Sequence, residues 1–84
     1  IELNSDGISI YPNPFNSEIT IRIEHSGKSE LSIFDIQGRK IVSKIIDSIE
    51  SVHDFQQLEN GMYVVSIAAL ETNQVFYQRM MKVN

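Results

Sequence analysis

The chain has 84 residues, with seven basic and eleven acidic side chains, a net charge of −4, and no cysteine or tryptophan. This length allows one compact core but not two, and the missing cysteines exclude disulfides and thiolate zinc sites. The acidic balance, with basic residues scattered singly, argues against a nucleic-acid partner, which would require a clustered basic patch.

The first two predicted strands flank a proline-containing segment. Residues 8–11 alternate apolar and polar side chains and predict a short strand. Pro12 and Pro14 remove two backbone donors and favour extended geometry, so they end or bend that strand. Residues 18–24 give the clearest strand, because three isoleucines occupy one face and polar side chains the other.

A hairpin is predicted next, after a turn over residues 25–28. Its strands are the β-branched and aromatic segments over residues 29–36 and 39–46, and it turns at Gly38. An amphipathic helix over residues 41–49 is the alternative. Because β-branched side chains lose rotamer freedom in a helix, the strand is favoured.

The remaining elements are a polar loop over residues 47–51, a short strand over residues 52–55, a connection ending at Gly61, and longer strands over residues 62–70 and 74–83. Seven short strands at this spacing, with no convincing helix, predict an all-β sandwich. The sequence shows no internal repeat and no low-complexity tract, so the whole chain is one module.

The residue patterns predict neither catalysis nor a metal site. His25 and His53 lack ligand spacing and are interpreted as a loop histidine and a strand-face histidine. Asp35 and Asp54 could pair across strands as glycosidase carboxylates, but a domain this small lacks a cleft, which favours solvated or turn-bonding aspartates. Residues 4–7 resemble the start of a calcium loop without its distal glutamate, so a capped turn is favoured. We therefore predict no catalytic residue, metal or cofactor.

No apolar run approaches the ~18 to 20 residues of a membrane-spanning helix, and the N-terminus lacks the pattern of a signal peptide. Because the chain opens with Ile1 rather than methionine, we expect a fragment of a larger polypeptide with any targeting segment upstream. We assign residues 1–7 to a linker remnant and residues 8–84 to the sandwich.

Four segments, over residues 11–14, 33–41, 58–67 and 79–83, together resemble the type A C-terminal sorting domain of the type IX (Por) secretion system of Bacteroidota. The resemblance covers nearly the whole chain. It implies a seven-stranded antiparallel immunoglobulin-like β-sandwich that acts as a sorting signal and catalyses nothing. The residues that match the family motif, and that we interpret as structural, are Tyr11, Pro12, Asn13, Pro14, Asp35, Gly38, Arg39, Gly61 and Tyr63.

The resemblance also implies partners and a route. A passenger fused upstream crosses the inner membrane and the periplasm, and the folded domain is recognised by the outer-membrane translocon and its shuttle protein. A sortase-like cysteine peptidase then cleaves the linker at the cell surface. The residues expected to be recognised are Arg79, Met80, Met81, Lys82, Val83 and Asn84.

Physical reasoning gives several motif residues a role. Pro12 and Pro14 stiffen the segment and reduce the entropy lost when a partner binds it. Tyr63, which follows the turn residue Gly61, can bury its ring while its hydroxyl caps a backbone group. Arg79 and Lys82, together with the free backbone carboxylate of Asn84, form a charged terminus on an edge strand. Such a terminus suits strand addition or a pocket that binds it.

The alternative function is an accessory adhesion or carbohydrate-binding module similar to fibronectin type III domains. Such a module requires an exposed aromatic platform on one sheet. Phe76 and Tyr77 are adjacent in a predicted strand, so they point to opposite faces and one of them faces outward.

Overall fold

The computed structural model describes residues 7–24 and 27–84. It contains seven strands: β1 (Ile8–Tyr11), β2 (Glu18–Ile23), β3 (Ser29–Phe34), β4 (Lys40–Ile46), β5 (Glu50–Asp54), β6 (Gly61–Ala69) and β7 (Val75–Lys82). They form two antiparallel sheets, in the orders β1-β2-β5 and β4-β3-β6-β7. The all-β sandwich is confirmed, and β4 lies where the helix was the alternative. Within the described ranges, no helix is long and apolar enough to cross a membrane.

Alternation along the strands builds the core between the two sheets. The isoleucines of β2, at positions 19, 21 and 23, are each at most 3% exposed, and they face buried residues of β3 and β6 such as Leu31 and Ile67. Fully burying one such side chain stabilises the fold by roughly 1.5–3 kcal/mol. Phe15 and Phe55, both 1% exposed, complete this core from outside the strands.

Two strand boundaries differ from the sequence prediction by two residues, and the others differ by at most one. The third strand ends at Phe34 because Asp35 already belongs to the turn that follows. The polar loop predicted over residues 47–51 is wrong in its last two positions, because β5 begins at Glu50. Glu50 pairs with Arg22 in the ladder, and its carboxylate lies 3.1 Å from the Arg22 guanidinium.

The predicted hairpin between β3 and β4 is confirmed, with a bulge after Ile33 that was not anticipated. Gly38 has a φ of 84° and donates its N–H to the Asp35 carbonyl at 3.0 Å. Gly61, at the start of β6, has a φ of 147°. Both positions lie in the left-handed region that glycine tolerates best, which explains their place in the motif.

Candidate recognition site

The proline segment (residues 11–15) lies against the outer edge of β7. The Asn13 side chain donates to the Arg79 carbonyl at 3.0 Å and accepts from the Met81 backbone N–H at 3.1 Å. The Phe15 backbone N–H donates to the Met81 carbonyl at 2.8 Å, and the Phe15 carbonyl accepts the Val83 N–H at 2.9 Å. The first and last motifs of the chain therefore form one structural unit.

These contacts follow from the backbone chemistry of an edge strand. Alternate residues of an edge strand direct their N–H and C=O groups away from the sheet, and these groups need partners. Since Pro12 and Pro14 have no N–H, the segment uses the Asn13 amide and the backbone of Phe15 instead. The Phe15 ring is 1% exposed and anchors the segment in the core.

This arrangement corrects the expectation of strand addition at the closing segment. In the folded domain, the outward backbone groups of Met81 already have partners in the proline segment, as do the Arg79 carbonyl and the Val83 N–H. A foreign strand would have to displace Asn13 and Phe15 before it could pair here.

The side chains of the closing segment divide between the core and the surface. Met80 is 0% exposed and Lys82 is 1% exposed, whereas Arg79 is exposed and Met81 half-buried. The expectation that Lys82 contributes to an exposed charged terminus is wrong. Its ammonium donates instead to the Asn84 side chain at 3.1 Å. The sequence could have indicated this burial, because Met80 and Lys82 are two residues apart in a strand and therefore point to the same face.

Arg79 lies at the rim of a surface depression of about 280 Å³. The other lining residues are Asp35, Ile36, Met62, Tyr63 and Val64. Ile36 is 81% exposed, and no carboxylate of the described residues forms an ion pair with Arg79. The depression therefore combines apolar walls with the Arg79 guanidinium and with Asp35, whose carboxylate is paired with Arg39.

Asp35 organises the turn beside this depression. One carboxylate oxygen accepts the backbone N–H groups of Gln37 at 2.9 Å and Arg39 at 3.0 Å, and the other accepts Arg39 Nε at 2.8 Å. The Arg39 N–H, helped by the guanidinium and by Gln37, holds the pKa of Asp35 below its usual value. Asp54 accepts the Gln56 N–H at 2.9 Å in the other sheet. Both aspartates accept hydrogen bonds within turns, which is the interpretation favoured over a glycosidase pair.

Tyr63 performs the role expected of it. It is 9% exposed, and its hydroxyl donates to the Glu59 carbonyl at 2.6 Å. Burial, followed by the negative charges of Glu59 and Asp35, raises the pKa of the Tyr63 phenol. The hydroxyl thereby fixes the connection that leads into Gly61.

The sequence also singled out two histidines and a possible metal-binding loop. His53 is half-buried on β5, as expected, and its ring lies 2.8 Å from the Ser51 hydroxyl. Within residues 7–24 and 27–84, no group of three potential metal ligands occurs. His25 and residues 4–6 lie outside the described residues.

The structure also tests the aromatic platform that a carbohydrate-binding module requires. Tyr77 is 65% exposed and Phe76 packs against the core, so the prediction that one of the pair faces outward is confirmed. Among the described aromatics, the other exposed one is Tyr11, at 44%, and it lies in the other sheet. The two exposed aromatics therefore do not form a platform on one sheet.

Comparison with known proteins identifies similar domains. The family model described as "Secretion system C-terminal sorting domain" matches residues 9–82. A search of curated proteins finds no match. Among solved structures, the chain is similar to PorZ, described as an essential bacterial surface component of the type IX secretion system of Porphyromonas gingivalis. The TM-score is 0.70 at 20% identity, over 94% of this chain and 12% of that chain, and this likeness shows the fold.

Proposed function

The chain belongs to the family of secretion system C-terminal sorting domains, and from this premise we propose how its surface is recognised. Domains of this family are the sorting signals of the type IX secretion system, so this chain is a sorting signal of that system. The observation that carries this function is the family match, which begins in β1 and ends at the last residue of β7.

Recognition falls on the closing segment, residues 79–84, through the side chains that remain accessible in the folded domain. Arg79 offers an exposed cation beside the apolar depression, and Met81 and Val83 add partly exposed apolar surface. Met80 and Lys82 face inward and hold the segment in place. The translocon and its shuttle protein contact the accessible side chains. They depend on the two inward-facing side chains only because these keep the segment folded.

The proline segment completes this surface. Pro12, Asn13 and Pro14 are exposed, and Asn13 is bonded to the backbone on both sides of Met80. A partner bound over Arg79 and Met81 therefore also meets the prolines. Because the segment is already ordered, little conformational entropy is lost when that partner binds.

The domain acts as a substrate of the export route and not as an enzyme. Residues 1–7 are a remnant of the linker that a sortase-like cysteine peptidase cleaves, and residues 8–84 are the sandwich. The passenger precedes this linker, crosses the periplasm with the domain, and is released or retained at the cell surface. Membership of the sorting-domain family supports this order of events.

A fusion experiment tests the sorting function. Residues 1–84 are joined behind an inert reporter with an inner-membrane export signal, in a host with a type IX system. We expect the reporter at the cell surface or in the medium, whereas the reporter without the domain stays in the periplasm. A periplasmic location for both would refute the function.

A pair of variants tests the recognition surface within the same fusion. Arg79→Gln removes the cation at the depression, and Arg22→Gln removes a partly exposed arginine from the opposite sheet, where its ion pairs contribute little. We expect Arg79→Gln to reduce the exported fraction and Arg22→Gln to leave it unchanged, with both domains folded by circular dichroism. Normal export of Arg79→Gln would show that recognition lies elsewhere.

A further inference from the structure

The outer edges of the two sheets differ in length, in charge and in how many of their backbone groups already have hydrogen-bond partners. The Ile10 carbonyl of β1 accepts the Gln78 side chain at 3.1 Å, and part of the β7 edge is covered by Asn13 and Phe15. The β5 edge is short and carries Glu50 and Asp54. The β4 edge, seven residues long, has no backbone partner on its outer side among the described residues.

This open edge is basic in an acidic domain. Residues 36–46 contain Arg39, Lys40 and Lys44, which are three of the seven basic residues, and contain no acidic residue. Arg39 is paired with Asp35, and Lys40 lies 3.8 Å from the Glu30 carboxylate. Lys44 has no carboxylate partner in the part of the chain that the structure describes, and its ammonium lies 5.5 Å from the Phe55 ring centroid.

The same edge also exposes apolar side chains. Ile45 is 58% exposed, and Ile41, which has no partner on β3 because it lies in the bulge, is 41% exposed. In the register with β3, Ile45 faces outward beside Glu30, and Lys44 is directed to the opposite face beside Leu31. A strand added along β4 would cover Ile45 with one set of side chains and meet Lys44 with the alternate set.

We propose that the β4 edge is a docking site for an extended segment of another protein in which acidic and apolar side chains alternate. The segment would add to the four-stranded sheet by main-chain hydrogen bonds, with its carboxylates on the face of Lys44 and its apolar side chains on the face of Ile45. Charge complementarity selects this occupant over a second copy of the chain. Pairing two β4 edges would bring the lysines of both copies into one seam, and like charges across strands destabilise pairing. The proposal is independent of recognition at Arg79.

The test is an NMR titration of the ¹⁵N-labelled chain with the peptide acetyl-Glu-Val-Glu-Val-Glu-Val-Glu-amide. We expect saturable amide shifts in β4 and its neighbour β3. Lys44→Glu should weaken binding about tenfold or more, because an attraction becomes a repulsion. Lys28→Glu is the matched control, since it makes the same charge change at an exposed residue outside β4, and its affinity should equal that of the parent.

Two altered peptides separate the contributions of charge and backbone. A peptide with lysine in place of glutamate should not bind, and one N-methylated at alternate residues should lose binding because its donors are blocked. The proposal is overturned by an absence of shifts at about 1 mM peptide, by equal binding of the lysine peptide, or by shifts centred on residues 75–79 of β7. Self-association of the chain through β4 in sedimentation experiments would also overturn it.

Discussion

The backbone N–H of Met81 donates to the side-chain oxygen of Asn13 at 3.1 Å, across a sequence separation of 68 residues. The amide nitrogen of the same side chain donates to the Arg79 carbonyl at 3.0 Å. One asparagine thus supplies both a donor and an acceptor to the edge of β7, as a neighbouring strand would. The proline motif and the closing motif therefore depend on each other, and this relationship can be tested.

Asn13→Ala should lower the free energy of unfolding by about 1 kcal/mol, because it removes both side-chain bonds from the edge of β7. Hydrogen exchange should accelerate most at the Met81 amide. Asn16→Ala is the matched control, since Asn16 is exposed and makes no side-chain hydrogen bond within the described residues. Equal stability and equal exchange in the two variants would show that Asn13 does not hold the strand.

Lys82→Met should leave the domain at least as stable as the parent, with a gain of up to about 2 kcal/mol. The reason is that a buried ammonium with one neutral partner is costly, whereas methionine has a similar volume and needs no partner. Denaturant unfolding measures the change, and Lys28→Met is the exposed control. Because Lys82 is inaccessible, the fusion should also be exported normally. A marked loss of stability would mean that the ammonium itself stabilises the terminus.

The Asp35 carboxylate should make stability depend on acidity. Its folded pKa lies below the ordinary value of 3.8, so its contribution is present above that value and is lost as the pH falls through the folded pKa. The stability difference between the parent and Asp35→Asn should therefore be largest near neutrality and should narrow in acid. Asp47→Asn, at an exposed loop position, is the matched control for the removal of a carboxylate. A difference that is constant with pH would contradict the role of the charge.

His53 should titrate below its ordinary pKa of 6.5. Burial is the main cause and the Lys44 charge is the second, and both lower the pKa. Since the unfolded chain then binds the proton more readily, stability should fall as the pH drops from 6.5 towards the folded pKa. NMR of the imidazole measures this pKa, with a His25→Gln variant to assign the signal. Lys44→Gln should raise the pKa, and an unchanged value in that variant would rule out the lysine contribution.

Tyr63→Phe should destabilise the domain by about 1 kcal/mol, because it leaves the Glu59 carbonyl without its donor while the ring remains buried. Tyr77→Phe provides the control, since the Tyr77 side chain is 65% exposed and donates no hydrogen bond in the described structure. Thermal unfolding compares the two variants. Similar melting temperatures would show that the Tyr63 hydroxyl contributes nothing to the fold.

The sequence predicted the number, the order and the approximate positions of the strands. Period-two alternation in residues 18–24 and turn glycines such as Gly38 are local signals, because they arise from steric properties of a few adjacent residues. The boundaries were less well predicted, because they depend on partners. Glu50 belongs to β5 only because Arg22 lies opposite it in the ladder.

The recognition surface was harder to predict because it depends on which edges meet. The sequence indicated the closing segment and the proline segment separately, and it placed Lys82 on a charged terminus. Burial of Lys82 follows from its position on the inward face of β7, which depends on the packing of the two sheets. The expectation that strand addition is open at this end ignored the contacts of Asn13, which span the whole chain.

The sequence by itself determined the β-sandwich and its family, because alternation and turn residues are local properties and the motifs occur in a fixed order. Only the tertiary structure decided which strand edges are closed. A backbone donor or acceptor at an edge has no sequence signature, and its partner is whatever the fold brings to it. The fold brings Asn13 and Phe15 to β7, and it leaves β4 without a described partner on its outer side.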